Sequence, residues 1–240
     1  MKALILAAGQ GDRLEHLTDD IPKALVKVAG VELVSHQLRF LNHPAVTSIG
    51  LVTGYHGALL SRFVKQKNPL VRVFENHRFD KGSILTLQCA LDFLDDDFLL
   101  MNVDHIYPQH LLEHITKQTK EITAVCDFDR KLVDDDMKIK LGSGKKLSKI
   151  HKGLKDYDGG YIGMTTCSAS KIPAYKNALE QVLSKQGDRA SVEMILGELA
   201  QNKETIHIAD ASGHRWLEVD TPEDLKQAEA TLKTDPSFLK

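Results

Sequence analysis

The sequence has no apolar run approaching the roughly 18–20 residues that a membrane-spanning helix needs. Its opening run, Met1–Leu6, is short and soon broken by glycine, so a secretory signal is not expected there. Cysteine is scarce: Cys89, Cys126 and Cys167 are isolated and odd in number, which argues against a disulfide framework or a CxxC metal site. An excess of positive charge is also missing. Lys and Arg number 31 against 33 Asp and Glu, a formal net charge of −2, so no global basic field marks a nucleic-acid or membrane-surface partner. Internal repeats, low-complexity tracts and linkers are absent as well. These absences lead to the expectation of a cytoplasmic protein, monomer or homodimer, with 240 residues sufficing for one sizeable core. Positive charge that serves function must be local.

Short β-branched or Leu-rich runs alternate with helical patterns through the first half. Strands are expected near 2–7, 48–53, 71–74, 97–102 and 122–127, and helices near 31–42, 56–66, 84–94 and 108–118. The alternation implies an α/β chain, a mainly parallel sheet with helices on its faces. Val31, Leu33, Val34, Leu38, Phe40 and Leu41 fit a helical face only loosely. The character changes near residue 128. Met137–Leu141 and Leu147–Ile150 flank Gly142-Ser143-Gly144 and read as a hairpin, a small β-rich lobe grown out of a single domain. A strand near 161–166, helices near 168–185 and 190–201, and strands near 205–209 and 215–219 follow. Thr221-Pro222-Glu223-Asp224 opens a last helix, with Thr221 as N-cap and Asp224 at capping-box spacing.

The chemistry concentrates in Leu6-Ala7-Ala8-Gly9-Gln10-Gly11-Asp12-Arg13-Leu14, closed by Pro22-Lys23. Small residues let the backbone approach a ligand, glycines free N–H groups to face phosphate oxygens, and Arg13 and Lys23 supply cations. The run is not a P-loop, because GxxxxGK[ST] is absent. Leu14 stands where a dinucleotide fingerprint needs its third glycine, which disfavours a nicotinamide-dependent oxidoreductase. Asp104 and Asp220 each end an apolar run, the place where a parallel sheet presents carboxylates to ligands. Each also reads as an acid at a turn or helix start. Lys152, Asn76, Gly82-Ser83 and Gly159-Gly160 are equally readable as solvated, capping or bulge residues. His110 and His114 lie four apart but not in HExxH, and Arg62, Lys65 and Lys67 read as surface.

Together these segments resemble the nucleotidyltransferase (nucleoside-diphosphate-sugar pyrophosphorylase) family. The first loop and Trp216–Leu225 carry its general signature. Asn102–Tyr107 and Lys149–Lys152 are similar to the cytidylyltransferases that act on alcohol phosphates, of the inositol-1-phosphate and phosphocholine types. The resemblance implies a three-layer Rossmann-like fold of the GT-A type, with a nucleotide-binding half at 1–127, an acceptor-side lobe and its helices at 128–215, and a final segment at 216–240. It implies transfer of CMP from CTP to a small phosphorylated alcohol or related phosphonate, with pyrophosphate released. The alternative is a sugar-1-phosphate nucleotidyltransferase. Arg13 is then expected on the β,γ-phosphates, Lys23 between the two substrates' phosphates, and Asp104 and Asp220 on Mg²⁺. Leu6, Ala7, Ala8, Gly9, Gly11, Gly82 and Ser83 are expected against the nucleotide, and Asn76, Lys152 and Gly160 against the acceptor. A catalytically silent nucleotide sensor would lack these charged positions, and all four are present. The chain also stops soon after its last helix, so a fused membrane transferase is not expected.

Overall fold

The computed structural model describes residues 1–239. Strand β1 (Lys2–Ala7) lies inside the main sheet and serves both faces by alternation. Leu4 and Leu6 enter one core cluster, while Ala3, Ile5 and Ala7 enter the other. A 3-10 segment over Asp12–Thr18 follows, then a hairpin of β2 (Lys27–Val28) and β3 (Val31–Glu32). Ala29 and Gly30 both take positive φ, 52° and 80°, the pair that closes a two-residue hairpin. This hairpin consumes Val31 and Glu32, so the first helix, α1 (Leu33–Phe40), is shorter than the expected 31–42.

The chain continues through β4 (Ser48–Thr53), α2 (Gly57–Lys67), β5 (Arg72–Glu75), α3 (Ser83–Gln88), β6 (Phe98–Asn102), β7 (His105–Ile106), α4 (Gln109–Thr116) and β8 (Ile122–Asp127). Helix α3 stops short of the expected residue 94, and a tighter turn at Leu91–Phe93 carries Phe93 and Leu94 into the core. Beyond lie β9 (Lys138–Leu141), β10 (Leu147–Ile150), β11 (Gly159–Cys167), α5 (Ile172–Gln186), α6 (Met194–Gln201), β12 (Ile206–Asp210), β13 (Leu217–Glu218) and α7 (Pro222–Thr234).

Strands β5, β4, β1 and β6 run parallel in that order. The sheet then becomes mixed: β11 is antiparallel to β6 and to β8, and β12 is parallel to β8. The expected hairpin forms as β9–β10 and pairs with the start of β11, through Gly159 and Gly160. Between Tyr161 and Thr165 the pairing of β11 with β8 slips. Gly163, at φ +76°, makes that bend, and a Cβ there would sit 2.9 Å from the His105 ring. Ile84, Tyr175, Leu179 and Ile195 of α3, α5 and α6 cover one face. Phe40, Leu60, Val64 and Leu111 of α1, α2 and α4 cover the other. A third cluster joins Leu14, Val28, Leu33 and Val219 to Ala228 of α7. Among the described residues, no helix is long and apolar enough to cross a membrane.

Candidate active site

The first loop turns at Gly11, whose φ is +82° and where a Cβ would lie 2.9 Å from the Cβ of Lys23. Glycine is needed both for the turn and for the lysine to pass. Lys23 follows Pro22 in a short 3-10 turn and is 8% exposed. Its Nζ donates to Asp104 Oδ2 at 2.9 Å and to Asp220 Oδ1. The other Asp220 oxygen accepts from Arg13 Nη2 at 2.6 Å, and Arg13 Nη1 donates to Asp135. Two cations of one loop are therefore tied to acids from the middle and the end of the chain.

Short antiparallel pairing brings those acids together. β7 pairs with β13, His105 opposite Glu218, and the Val219 N–H donates to the Asp104 carbonyl at 2.9 Å. Asp220 then leads into α7. The Asp224 carboxylate accepts from the N–H groups of Asp220 (3.1 Å) and Thr221 (2.8 Å), while Thr221 Oγ1 accepts from Asp224 N–H at 3.2 Å. The capping box expected from the sequence thus holds Asp220 as well as the helix. Behind Asp104, the His105 Nδ1 lies 2.6 Å from Oδ1, and its ring stacks between Tyr107 and Trp216.

The electrostatics follow from this packing. Burial opposes charge on Lys23, yet Asp104 and Asp220 raise its pKa. Burial also opposes ionisation of Asp104, but Lys23 and His105 hold its carboxyl far below the usual range. Glu218 behaves in the opposite sense: burial pushes its carboxyl up, and Asp104 and Asp220 add to that push while His105 resists it. The result is an ionised acid and an ionised lysine in contact, with His105 supporting the acid and Asp220 the lysine.

Two cavities meet at this cluster. One, of about 370 Å³, is lined by the first loop together with Lys81, Ser83 and Thr86. The second, of about 570 Å³, is lined by His105, Lys152, Gly160, Tyr161, Trp216 and Glu218 among others. Arg13, Asn102, Asp104, Glu193 and Asp220 line both, so the charged cluster stands at their junction. Asp104 and Asp220 converge on one Nζ with hard carboxylate oxygens. That donor set fits a Mg²⁺ ion that completes its shell from phosphates and water. Among the described residues, no group of three or more His, Cys, Asp or Glu side chains is placed to hold a metal alone.

Leu6, Ala8, Gly9, Gly11, Arg13, Lys23 and Ser83 all line the first cavity, and Lys152 and Gly160 the second. Three expected contacts are placed elsewhere. Ala7 is buried in the core and lines neither cavity. Gly82 lines neither, and a Cβ there would meet the Ala190 carbonyl at 2.0 Å, so it serves close backbone packing. Asn76 is buried: its Nδ2 donates to Thr86 Oγ1 at 3.1 Å and its Oδ1 accepts from Arg78 N–H at 2.8 Å, which braces a turn. Sequence reasoning missed Glu193, whose Oε1 accepts from Asn102 Nδ2 at 3.4 Å, and nothing in its sequence neighbourhood marks it. It also missed Asp135, which had a visible signal in the run Asp134-Asp135-Asp136, and it read Trp216, the only tryptophan of the chain, as part of the family signature without giving it a place in the site.

A glycine-turned loop whose lysine and arginine meet two strand-end acids, on a sheet of this order, defines the nucleotidyltransferase type of α/β fold. The chain belongs to the MobA-like NTP transferase domain family, whose model matches residues 3–194. It is 30% identical over 234 residues to the bifunctional IPC transferase and DIPP synthase of Aquifex aeolicus, covering 96% of this chain and 51% of that protein. It thus spans about half the length of that relative. It is 23% identical over 246 residues to the choline-phosphate cytidylyltransferase of Streptococcus pneumoniae, covering 98% of this chain and all of the relative. In fold it matches the inositol-1-phosphate CTP transferase from T. maritima, with a TM-score of 0.81, 20% identity, and coverage of 97% and 96% of the two chains.

Proposed function

We propose that this protein transfers CMP from CTP to a small phosphorylated alcohol and releases pyrophosphate, with Mg²⁺ as its metal. The observation that carries this reading is Lys23, pinned between Asp104 and Asp220 where two cavities meet. A buried cation at such a junction serves a reaction that brings two phosphates together. The names of the relatives, which pair CTP or cytidylyl transfer with inositol phosphate and choline phosphate, support the choice of nucleotide and acceptor.

The triphosphate occupies the first cavity, over the backbone of Gly9 and Gly11, with Arg13 on the departing β,γ-phosphates. The acceptor occupies the second, its phosphate towards Lys23 and Lys152. An acceptor phosphate oxygen forms a bond to the α-phosphorus as the bond to the β-phosphate bridge oxygen breaks, and pyrophosphate leaves with those electrons. The nucleophile is already an anion, so no general base is required. Lys23 offsets the repulsion between the two anions and stabilises charge on the α-phosphate as it builds. Asp104 and Asp220 would hold Mg²⁺, which supplies further charge neutralisation at the α-phosphate. Residues 1–127 then serve the nucleotide and 128–215 the acceptor, with Asp220 contributed from the last segment.

A pyrophosphate-release screen tests the reading, with CTP, UTP, dTTP, GTP and ATP each offered choline, ethanolamine, inositol and sugar phosphates and an aminoalkylphosphonate. Release with CTP and an alcohol phosphate or phosphonate is expected. Release only with sugar phosphates overturns the acceptor assignment, and no release with any pair overturns nucleotidyl transfer.

A further inference from the structure

The acceptor-side lobe contains a buried lysine that touches no substrate cavity. Lys138, in β9, is 5% exposed. Its Nζ donates to four backbone carbonyls: Val133 at 2.7 Å, Lys152 at 3.0 Å, Asp134 at 3.1 Å and Asp136 at 3.3 Å. The face of Tyr157 lies beyond, its ring centre 5.8 Å from Nζ. Among the described residues, no carboxylate stands within ion-pair distance of it. An ammonium has three N–H bonds, so four carbonyls around it form a cage of dipoles shared by one charge. That is the environment proteins build for a monovalent metal ion, here filled by a tethered cation.

The backbones in the cage carry the charged side chains of the cavity wall. Val133–Asp136 curls around the ammonium and is closed by the Val133 N–H donating to Asp136 Oδ2 at 2.6 Å. Asp135, on that curl, accepts from Arg13 and from Lys152 Nζ at 2.6 Å. Lys152 gives its carbonyl to the same cage. Despite partial burial, these two cations hold the Asp135 carboxyl below its ordinary value. Lys138 therefore joins the two chain segments that face Arg13 across the second cavity.

We propose that Lys138 is a positioning residue of the acceptor pocket: its buried ammonium acts as an internal monovalent cation that pins 133–136 to 152, and so sets Asp135 and Lys152 against Arg13. This rests on the reading of the second cavity as the acceptor's. The assignment is tested with Lys138→Ala and Lys138→Met, first in buffer free of K⁺ and ammonium ions, then with K⁺ or methylammonium added.

In Lys138→Ala the acceptor KM is expected to rise by about 10–10²-fold, the scale of a displaced positioning group, while the KM for CTP, which Asp135 reaches only through Arg13, rises several-fold less. Amide exchange should accelerate at 133–136 and 151–153 and stay unchanged in β1. Added K⁺ or methylammonium should reverse both effects in Lys138→Ala, where the cage is vacated. It should not do so in Lys138→Met, where the thioether fills it. An unchanged acceptor KM with unchanged exchange overturns the assignment. So does an equal loss for both substrates with exchange raised throughout, recovery indifferent to cations, or failure of both variants to fold. If the wild-type protein transfers no nucleotide at all, the functional reading falls, while exchange and its cation dependence still decide the role of Lys138.

Discussion

The amide of Val219 donates to the carbonyl of Asp104 at 2.9 Å, and this backbone bond sets two acids from distant parts of the chain side by side. Asp220 follows Val219 directly, so the bond sets the approach of the two backbones from which the carboxylates project. Lys23 then serves as their common counter-charge. A pair of acids set by strand pairing, with a buried lysine pinned between them, holds charge in place without reorganisation of the backbone, which in the proposed reaction serves an incoming phosphate.

Replacing Lys23 by Ala should lower kcat by about 10²–10³-fold if its charge acts on the transition state. It also removes one of the two buried partners of Asp104, with His105 remaining, which should cost on the order of 1–3 kcal/mol in unfolding free energy. Steady-state kinetics and chemical denaturation check the two effects. A change confined to KM would instead assign Lys23 to uniform binding of the ground and transition states. Asp104→Ala should abolish turnover while circular dichroism stays that of the native fold, and near-normal turnover would remove Asp104 from the metal assignment.

Thr221 and Asp224 separate stability from activity. Thr221→Ala loses the N-cap bond and should cost about 1 kcal/mol, with kcat little changed. Asp224→Ala loses the capping box and also releases the Asp220 N–H, so both stability and kcat should fall. Equal kcat in the two variants would show that the Asp224 carboxylate does not position Asp220.

Much of this arrangement was legible in the residues, for physical reasons that differ by element. β1, β4 and β8 occupy the expected ranges because buried strands write themselves as apolar runs. The capping box of α7 was readable because its bonds are local. β7 and β13 were not readable as a pair: each has two residues, and their partnership is a matter of tertiary approach. Asn76 looked like a contact residue because a polar residue after a strand has the same signature whether it faces a ligand or braces a turn. Lys138 sits in an alternating strand and reads as an outward lysine, since carbonyls that draw a lysine inward leave no mark in composition.

His36 should give the stability an acid-side slope. Its ring is buried behind the β2–β3 hairpin, with Nε2 3.2 Å from the Val28 carbonyl. Burial lowers its pKa, although the Val28 contact pulls the other way, and Arg39 lowers it further. In the unfolded chain a histidine titrates near about 6.5. The folded value is the depressed one, so the stability His36 lends is present above the unfolded pKa and is lost as pH falls towards the folded value. Over that range the unfolded chain takes up a proton that the native state refuses. Urea unfolding at about pH 7.5 and about pH 5.5 should show a larger drop for the wild type than for His36→Gln. Parallel curves for the two proteins would rule out His36 as the source of the slope.

The two loop glycines should respond differently to a methyl group. A Cβ at Gly9 would meet nothing within 4 Å, and the position is exposed on the wall of the first cavity. Gly9→Ala should therefore keep its unfolding free energy within about 0.5 kcal/mol and, with the triphosphate in the first cavity as proposed, raise its KM, because the methyl would stand between backbone and phosphate. Gly11 has a φ of +82°, and its Cβ would press on Lys23 at 2.9 Å. Gly11→Ala should cost at least about 1 kcal/mol through the backbone alone, and kcat should fall as Lys23 is pushed from between its acids. Denaturation and kinetics on the two variants separate these effects. If Gly11→Ala lost stability but kept its kcat, the close pass of Lys23 would be a packing contact without catalytic consequence.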